Sequence, residues 1–80
     1  MKTGLYKHYR GGLYHVLGVA RHSEDGEVLV VYHHLDGTPG LWVRPLDMFQ
    51  ENVAYEGKTM PRFTYQGPFM EEPPTFLDPA

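Results

Sequence analysis

The stretch Leu13–His34, LYHVLGVARHSEDGEVLVVYHH, decides the fold of this 80-residue chain. Two runs rich in Leu, Val and Tyr, at 13–21 and 28–34, flank a polar segment that contains Asp25 and Gly26. An Asp-Gly pair between two such runs is a strong signal for a tight turn, because glycine adopts a positive φ at little cost. The stretch therefore predicts a β-hairpin with a two-residue turn at Asp25 and Gly26.

A two-residue turn fixes the cross-strand partners, so that Gly18 faces His33 and Val19 faces Tyr32. Apolar side chains then occupy both faces of the hairpin. One face carries Leu17, Val19, Val28, Val30 and Tyr32, and the other carries Val16, Ala20, Leu29, Val31 and His33. A hairpin with one solvated face alternates apolar and polar residues, and this one does not.

The second apolar face is therefore expected to be covered. The cover is either the C-terminal segment, through Phe69, Phe76 or Leu77, or a second copy of the chain. A slipped register, or surface valines that merely favour strand geometry, would remove the need for a cover. Gly18 in the middle of a strand predicts a bulge or a sharp bend.

Turn residues recur along the rest of the chain and divide it into short segments. Further strands are predicted at 5–9, 41–44 and 62–65, and the segment 52–57 fits either a loop or a short strand. A short helical or 3-10 turn is predicted over Pro45–Phe49, since proline suits the first position of a helix. These elements predict an all-β fold, a small SH3-like antiparallel barrel of about five strands.

The composition changes after residue 66. Residues 1–66 are the predicted barrel domain, whereas 67–80 contain four prolines and three acidic residues without a basic one. Such a segment predicts an extended Pro-rich tail of polyproline character. The chain has no cysteine, which excludes a disulfide framework and a thiolate nucleophile.

The net charge of −3 makes general nucleic-acid binding unlikely on physical grounds, since that activity needs many phosphate-neutralising cations. The charge is uneven, because residues 1–22 carry four basic side chains and no acidic one. This asymmetry leaves room for an anionic partner at one edge. Neither a signal peptide nor an apolar run of about 20 residues is present, so we expect a cytoplasmic protein without a membrane partner.

The five histidines do not match a known metal motif. His33 and His34 are adjacent in a strand and point to opposite faces. The assumed register places neither His22 nor His34 opposite another histidine, so we expect no metal site and no cofactor. Ser23 is the only serine and lacks an orienting acid, so no catalytic residue is assigned and no enzymatic activity is expected.

The six tyrosines, four phenylalanines and one tryptophan are more informative. Most are expected in the core, and the others are suited to a groove that stacks on peptides or planar groups. If Leu41 and Val43 enter the core, alternation points Trp42 and Arg44 outward as a contact surface. The alternative is an intramolecular stack of Arg44 on a ring. The candidate binding residues are Tyr9, Arg10, Tyr14, Arg21, Tyr32, Trp42, Arg44 and Arg62.

Several segments resemble, in order, those of a known family. They are GLYKHYRGGLY at 4–14, VLGVARHS at 16–23, VVY at 30–32, LWVRP at 41–45, MF at 48–49 and PRF at 61–63. Together they are similar to the bacterial family catalogued as domain of unknown function 1653. The resemblance implies a small β-barrel-like domain of cytoplasmic bacterial proteins, and it implies no activity and no catalytic residues. The segment beyond Gly67 lies outside the resemblance.

These observations favour an uncharacterised bacterial protein that acts as a non-catalytic binding or accessory module with an aromatic and arginine surface. The expected partner is a peptide, a protein or a small anionic ligand, and the chain is either a monomer or a homodimer. The first alternative is a structural domain that dimerises through the second hairpin face. The second alternative is a small enzyme or the regulatory domain of an enzyme.

Overall fold

The computed structural model describes residues 1–69, and these are mostly β-strands. The strands are β1 (Gly4–His8), β2 (Leu13–Arg21), β3 (Val28–His34), β4 (Trp42–Pro45), β5 (Asn52–Tyr55), β6 (Lys58–Pro61) and β7 (Phe63–Gly67). A four-residue helix, α1 (Leu46–Phe49), follows β4. The predicted β class and the short helical turn are therefore confirmed. More strands form than predicted, because β5 and β6 make a ribbon where the sequence fits a loop equally well. The predicted tail falls largely on 70–80, outside the described residues.

The strands form two antiparallel sheets. β4, β3, β2, β1 and β7 lie side by side in this order, and β5 pairs with β6 in a separate ribbon. Within residues 1–69 neither sheet closes on itself, so the SH3-like barrel is not confirmed. The five-stranded sheet is nonetheless strongly curled. The Arg44 guanidinium on one edge strand lies 5.7 Å from the ring centre of Phe63 on the opposite edge strand.

The hairpin between β2 and β3 has the predicted strand bounds but a different register. The His22 N–H donates to the Glu27 carbonyl at 2.8 Å, so the turn contains four residues rather than two. A bulge between Val16 and Gly18 inserts one extra residue into β2. The bulge expected at Gly18 is thus confirmed, while the register that assumed a two-residue turn is wrong.

The observed register changes which side chains meet. Val16 faces Tyr32, and His15 faces His33. The expectation that His33 faces Gly18 is therefore wrong, whereas His22 and His34 face no other histidine, as expected. The physical reason is that a longer turn and a bulge each shift the pairing, and neither shift follows from the alternation of apolar residues alone.

The hydrophobic core lies on the side of the sheet that we term the inner face. It consists of Tyr6, Val16, Val30, Tyr32, Phe49 and Phe63. Phe49, from α1, stacks on Phe63 of β7 with nearly parallel rings 4.0 Å apart. The ring of Phe49 also meets Tyr6 edge-on at 5.3 Å. A helix of only four residues is therefore held by its one buried aromatic side chain, whose burial contributes about 2 kcal/mol.

The condition for an outward Trp42 and Arg44, that Leu41 and Val43 enter the core, is not met, since these two residues are 48% and 56% exposed. Trp42 and Arg44 are the cross-strand neighbours of buried residues in β3, so they lie on the inner face. Arg44 reaches across to the Phe63 ring, which is the intramolecular stack given above as the alternative. Trp42 remains 45% exposed at the margin of that face.

The opposite side of the sheet, which we term the outer face, carries a buried polar pair. His15 and His33 are 5% and 6% exposed. The ring of Phe69 lies 4.1 Å from the ring of His15 at a tilt of 35°. Phe69 therefore supplies part of the cover expected for this face. Phe76 and Leu77, the other two residues expected there, lie outside the described residues.

Candidate functional site

Aromatic rings line one rim of the curled sheet, where β1 and β3 end and β2, β4 and β7 begin. The Trp42 ring lies 5.2 Å from that of His34, and His34 lies 4.9 Å from Tyr14. Tyr14 meets Phe63 edge-on at 5.3 Å. Each contact joins residues of different strands, so the line of rings exists only in the folded sheet.

The line of rings continues past the end of β1. The His8 ring packs against Phe63 at 5.0 Å and against Tyr9 at 4.5 Å. Tyr9 in turn meets Tyr55 of β5 at 5.2 Å. The Arg10 guanidinium lies 5.8 Å from the centre of each of these two tyrosine rings, a cation–π arrangement. The ribbon β5–β6 thus supports the rim with the Tyr55 ring, which helps to hold the Arg10 guanidinium.

Three arginines surround His8. Burial lowers the pKa of His8, and the charges of Arg44, Arg62 and Arg10 lower it further, in that order. The imidazole is therefore neutral at physiological pH, because a further positive charge is disfavoured among these cations. The pKa of His8 consequently reports a positive potential at this end of the sheet.

Two carboxylates of the described residues act at this end of the sheet: Glu51 lies beside Arg62, and the charge of Asp36 helps to raise the pKa of Tyr14. The Arg62 Nη2 lies 3.5 Å from the Glu51 carboxylate, while its Nε is buried and has no hydrogen-bond partner in this part of the chain. Arg10 and Arg44 form no ion pair with a carboxylate of residues 1–69. We term this region the aromatic–arginine rim. It comprises His8, Tyr9, Arg10, Tyr14, His34, Trp42, Arg44 and Arg62.

The structure brings most of the candidate binding residues together. Those at the rim are Tyr9, Arg10, Tyr14, Trp42, Arg44 and Arg62. Arg21 lies at the far end of β2, where its Nη1 donates to the Gly26 carbonyl at 3.1 Å. Tyr32 is 4% exposed and packs under Tyr14 in the core. These two residues therefore do not belong to the rim.

The candidate binding residues predicted from sequence do not include the two rim histidines, His8 and His34. They also do not include the two supporting rings, Phe63 and Tyr55. His8 and His34 match no motif in the sequence, and neither Phe63 nor Tyr55 stands out there. One signal is available for His8, since strand alternation places it on the same face as Tyr6. The other contacts cross between strands far apart in sequence, and no local pattern encodes them.

Two recesses lie next to the rim. One, of about 170 Å³, is lined by Lys7, His8, Tyr9, Met60, Pro61 and Thr64. The other, of about 380 Å³, lies between the sheet and α1 and is lined by Met1, Lys2, Tyr6, Phe49, Gln50, Asn52, Pro61, Phe63 and Tyr65. The first recess includes the rim residues His8 and Tyr9 together with Lys7. Guanidinium groups and ring faces at this end are chemically suited to hold an anionic group and a planar one.

The potential metal ligands are dispersed over the described part of the chain. Among residues 1–69, His, Cys, Asp and Glu do not gather in a group of three or more that would hold a metal ion. In the same part of the chain, the helix is too short to cross a membrane.

Comparison with known proteins identifies the family. The family model described as "Protein of unknown function (DUF1653)" matches residues 4–65. The crystal structure of a protein of this family from Bordetella bronchiseptica is 38% identical, with a TM-score of 0.80, and the alignment covers 90% of this chain and 95% of that one. No curated protein matches the chain. The matched model spans the strands that build the sheet and the rim, and the chain belongs to the DUF1653 family.

Proposed function

We propose that this protein is a non-catalytic binding module whose aromatic–arginine rim holds the anionic group of a small ligand. One observation carries the proposal. The Arg44 guanidinium lies 5.7 Å from the Phe63 ring and that of Arg10 lies 5.8 Å from the Tyr9 ring, and both rings pack against His8. The Arg62 carbonyl accepts from the Tyr9 N–H, which places Arg62 at the same end, and of these three arginines only Arg62 forms an ion pair with a carboxylate of residues 1–69. Three arginines against the two carboxylates Glu51 and Asp36 leave an excess of positive charge, and such an excess favours a ligand that brings negative charge.

The chemistry of the rim side chains restricts the class of ligand that the rim would bind. A guanidinium group presents a planar set of donors that matches the two oxygens of a carboxylate or phosphate. The Nε of Arg62 is a buried donor that such an oxygen would satisfy. Trp42 is 45% exposed at the same rim and offers a ring face for a planar group. The net charge of −3 weighs against a long polyanion, so a small anion fits better.

The pKa of His8 can be used to detect binding at the rim. Its pKa is lowered partly by the three arginines, and a bound anion would offset their charge. Binding therefore raises the pKa of His8 toward its ordinary value, and the affinity increases as the pH falls through that range. A ligand that binds elsewhere on the chain leaves this pKa unchanged.

Two-dimensional NMR of the full chain tests the proposal, with inorganic phosphate, acetate and a nucleoside monophosphate as probes. We expect shifts that cluster at the rim and a raised His8 pKa in the presence of the bound probe. Arg44→Gln should weaken binding about tenfold, the loss of one charged hydrogen-bonding partner. Arg21→Gln is the matched control, since Arg21 lies at the other end of β2 and donates to Gly26. Equal weakening by both variants, or shifts away from the rim, would refute the proposal.

A second candidate is homodimerisation through the sheet edge. β4 is an edge strand, and Val43 within it and Leu41 just before it are 56% and 48% exposed. Exposed apolar side chains on an unpaired edge favour pairing with another strand. Sedimentation across a range of concentrations tests this candidate. A monomer at all concentrations would exclude it, whereas a dimer that Val43→Lys dissociates would support it.

A further inference from the structure

One carboxylate next to the aromatic–arginine rim is paired with an arginine of the rim. The Glu51 Oε2 lies 3.5 Å from the Arg62 Nη2. Among residues 1–69, no other carboxylate forms an ion pair with Arg10, Arg44 or Arg62. Glu51 therefore occupies the position at Arg62 that the anionic group of a ligand would take.

The backbones of Glu51 and Arg62 are fixed against each other. The Arg62 N–H donates to the Glu51 carbonyl at 2.9 Å, and the Tyr9 N–H donates to the Arg62 carbonyl at 2.9 Å. The Glu51 N–H donates to the Met48 carbonyl of α1 at 3.3 Å. Both residues thus keep their places in the fold when the contact between their side chains changes.

The ion pair between these two side chains is weak. A hydrogen bond from a charged N–H to a carboxylate is usually about 2.7–2.9 Å long, so 3.5 Å is a long contact. The Glu51 side chain is 52% exposed, and an exposed ion pair contributes little to stability. The Nε of Arg62 is buried and has no hydrogen-bond partner in the described part of the chain. The guanidinium group is therefore suited to exchange Glu51 for a stronger acceptor.

The second carboxylate at this end of the sheet is held differently. The Asp36 Oδ1 accepts a hydrogen bond from the Thr38 N–H at 2.9 Å, within its own turn. Asp36 forms no ion pair with an arginine of residues 1–69. Its charge thus acts on the rim only from a distance, whereas Glu51 competes directly for a guanidinium group.

We propose, on the basis of the function proposed above, that Glu51 is an internal competitor at the rim. A doubly charged anion, such as phosphate or a phosphate monoester, displaces it from Arg62. A singly charged carboxylate that replaces Glu51 only restores the ion pair already present. Phosphate also restores that pair, and its second charge and remaining oxygens can engage Arg10 and Arg44. The rim is therefore selective for phosphate over carboxylate ligands.

Two-dimensional NMR of the full chain tests this role, with inorganic phosphate and acetate as probes at constant ionic strength. At about pH 8 phosphate is mainly doubly charged. We expect the unaltered protein to bind phosphate more tightly than acetate. At saturating phosphate, the resonances of the Glu51 side-chain carboxyl carbon and of the Arg62 Nε–H should shift. These readouts do not depend on whether a variant folds.

Variants provide the second arm. Glu51→Gln keeps the shape of the side chain and removes its charge, so it should raise the phosphate affinity about threefold, as for the loss of one exposed ion pair. Glu27→Gln is the matched control, because it changes the net charge equally. Glu27 precedes β3, whose opposite end lies at the rim about 20 Å away, where exposed charges are largely screened. We expect the control to leave the phosphate affinity nearly unchanged.

The possible failures are distinguishable. Equal affinities in the two variants, or acetate bound at the rim as tightly as phosphate, would overturn the role of Glu51 and leave the proposed function intact. The absence of rim shifts with phosphate, in the unaltered protein and in Glu51→Gln alike, would refute the proposed function together with the role of Glu51.

Discussion

The two faces of the sheet place a neutral histidine in contrasting surroundings. On the inner face, His8 lies among aromatic rings, and three arginines add to the effect of burial on its pKa. On the outer face, the pKa of His15 is lowered by burial and by a second histidine. The first site adds arginine charge to the effect of burial, whereas the second pairs two ring nitrogens 3.0 Å apart. The same residue type thus has its pKa lowered by different neighbours on the two faces.

The largest expected difference between the two faces is in how much each contributes to the free energy of unfolding. Phe49→Ala removes the side chain that packs α1 on the inner face, where Phe49 is 1% exposed. We expect a loss of about 3–5 kcal/mol in the free energy of unfolding, measured by urea denaturation. Phe69→Ala on the outer face is the matched variant, and it should cost clearly less, because Phe69 is only half-buried. Equal losses in the two variants would mean that packing on the outer face stabilises the chain as much as packing on the inner face.

A smaller difference in stability is expected between the alanine substitutions at Gly4 and at Gly18. Gly4 has φ +136°, and a Cβ there would lie 2.5 Å from the Gly67 carbonyl oxygen where β1 meets β7. Gly4→Ala should therefore destabilise the chain by about 2–3 kcal/mol. Gly18 at the bulge has open space where a Cβ would lie, so Gly18→Ala should stay within about 1 kcal/mol of the original. Thermal unfolding of the two variants measures the contrast, and a costly Gly18→Ala would show that the bulge needs glycine.

Lowering the pH should decrease the free energy of unfolding, because His8 and His15 both bind protons more weakly in the folded chain. The folded-state pKa of His8 and of His15 lies below the ordinary value, so the unfolded chain binds protons first as the pH falls. Stability is therefore fully present above about pH 6.5 and decreases below it, until the folded-state pKa values are reached. Urea denaturation between pH 8 and pH 5 measures the slope. His15→Gln should flatten it, and an unchanged slope would contradict a lowered pKa at this position.

The smallest expected effect is that of salt on the pKa values of His8 and His15, which should respond differently. The arginine charges that act on His8 are screened at about 1 M salt, where the Debye length is about 3 Å. Burial lowers both pKa values most and is not screened, so the pKa of His8 should rise by the part that the three arginines contribute, while that of His15, which no arginine lowers, changes less. NMR titration in a chloride salt at two concentrations measures both in one sample. A larger rise at His15 than at His8 would reverse the assignment of causes.

Much of the secondary structure could be predicted from the sequence. The bounds of β2 and β3 agree with prediction, because their apolar runs and the polar segment between them are local signals. The helical turn after Pro45 is similarly local. The ribbon β5–β6 has no comparable signal, since its short segments lack an apolar run. Six of the eight candidate binding residues meet at one rim, although nothing local required Arg44 to reach Phe63.

The sequence by itself determined the β class, the central hairpin and the bulge at Gly18, because these depend on alternation, turn residues and the freedom of glycine. Only the tertiary structure decided which residues face one another. A four-residue turn and the extra residue in β2 shift the register, and that shift sets His15 opposite His33. The curl of the sheet then brings β4 to β7 and gathers the arginines around His8. Both outcomes depend on pairings between distant strands, which no local pattern encodes.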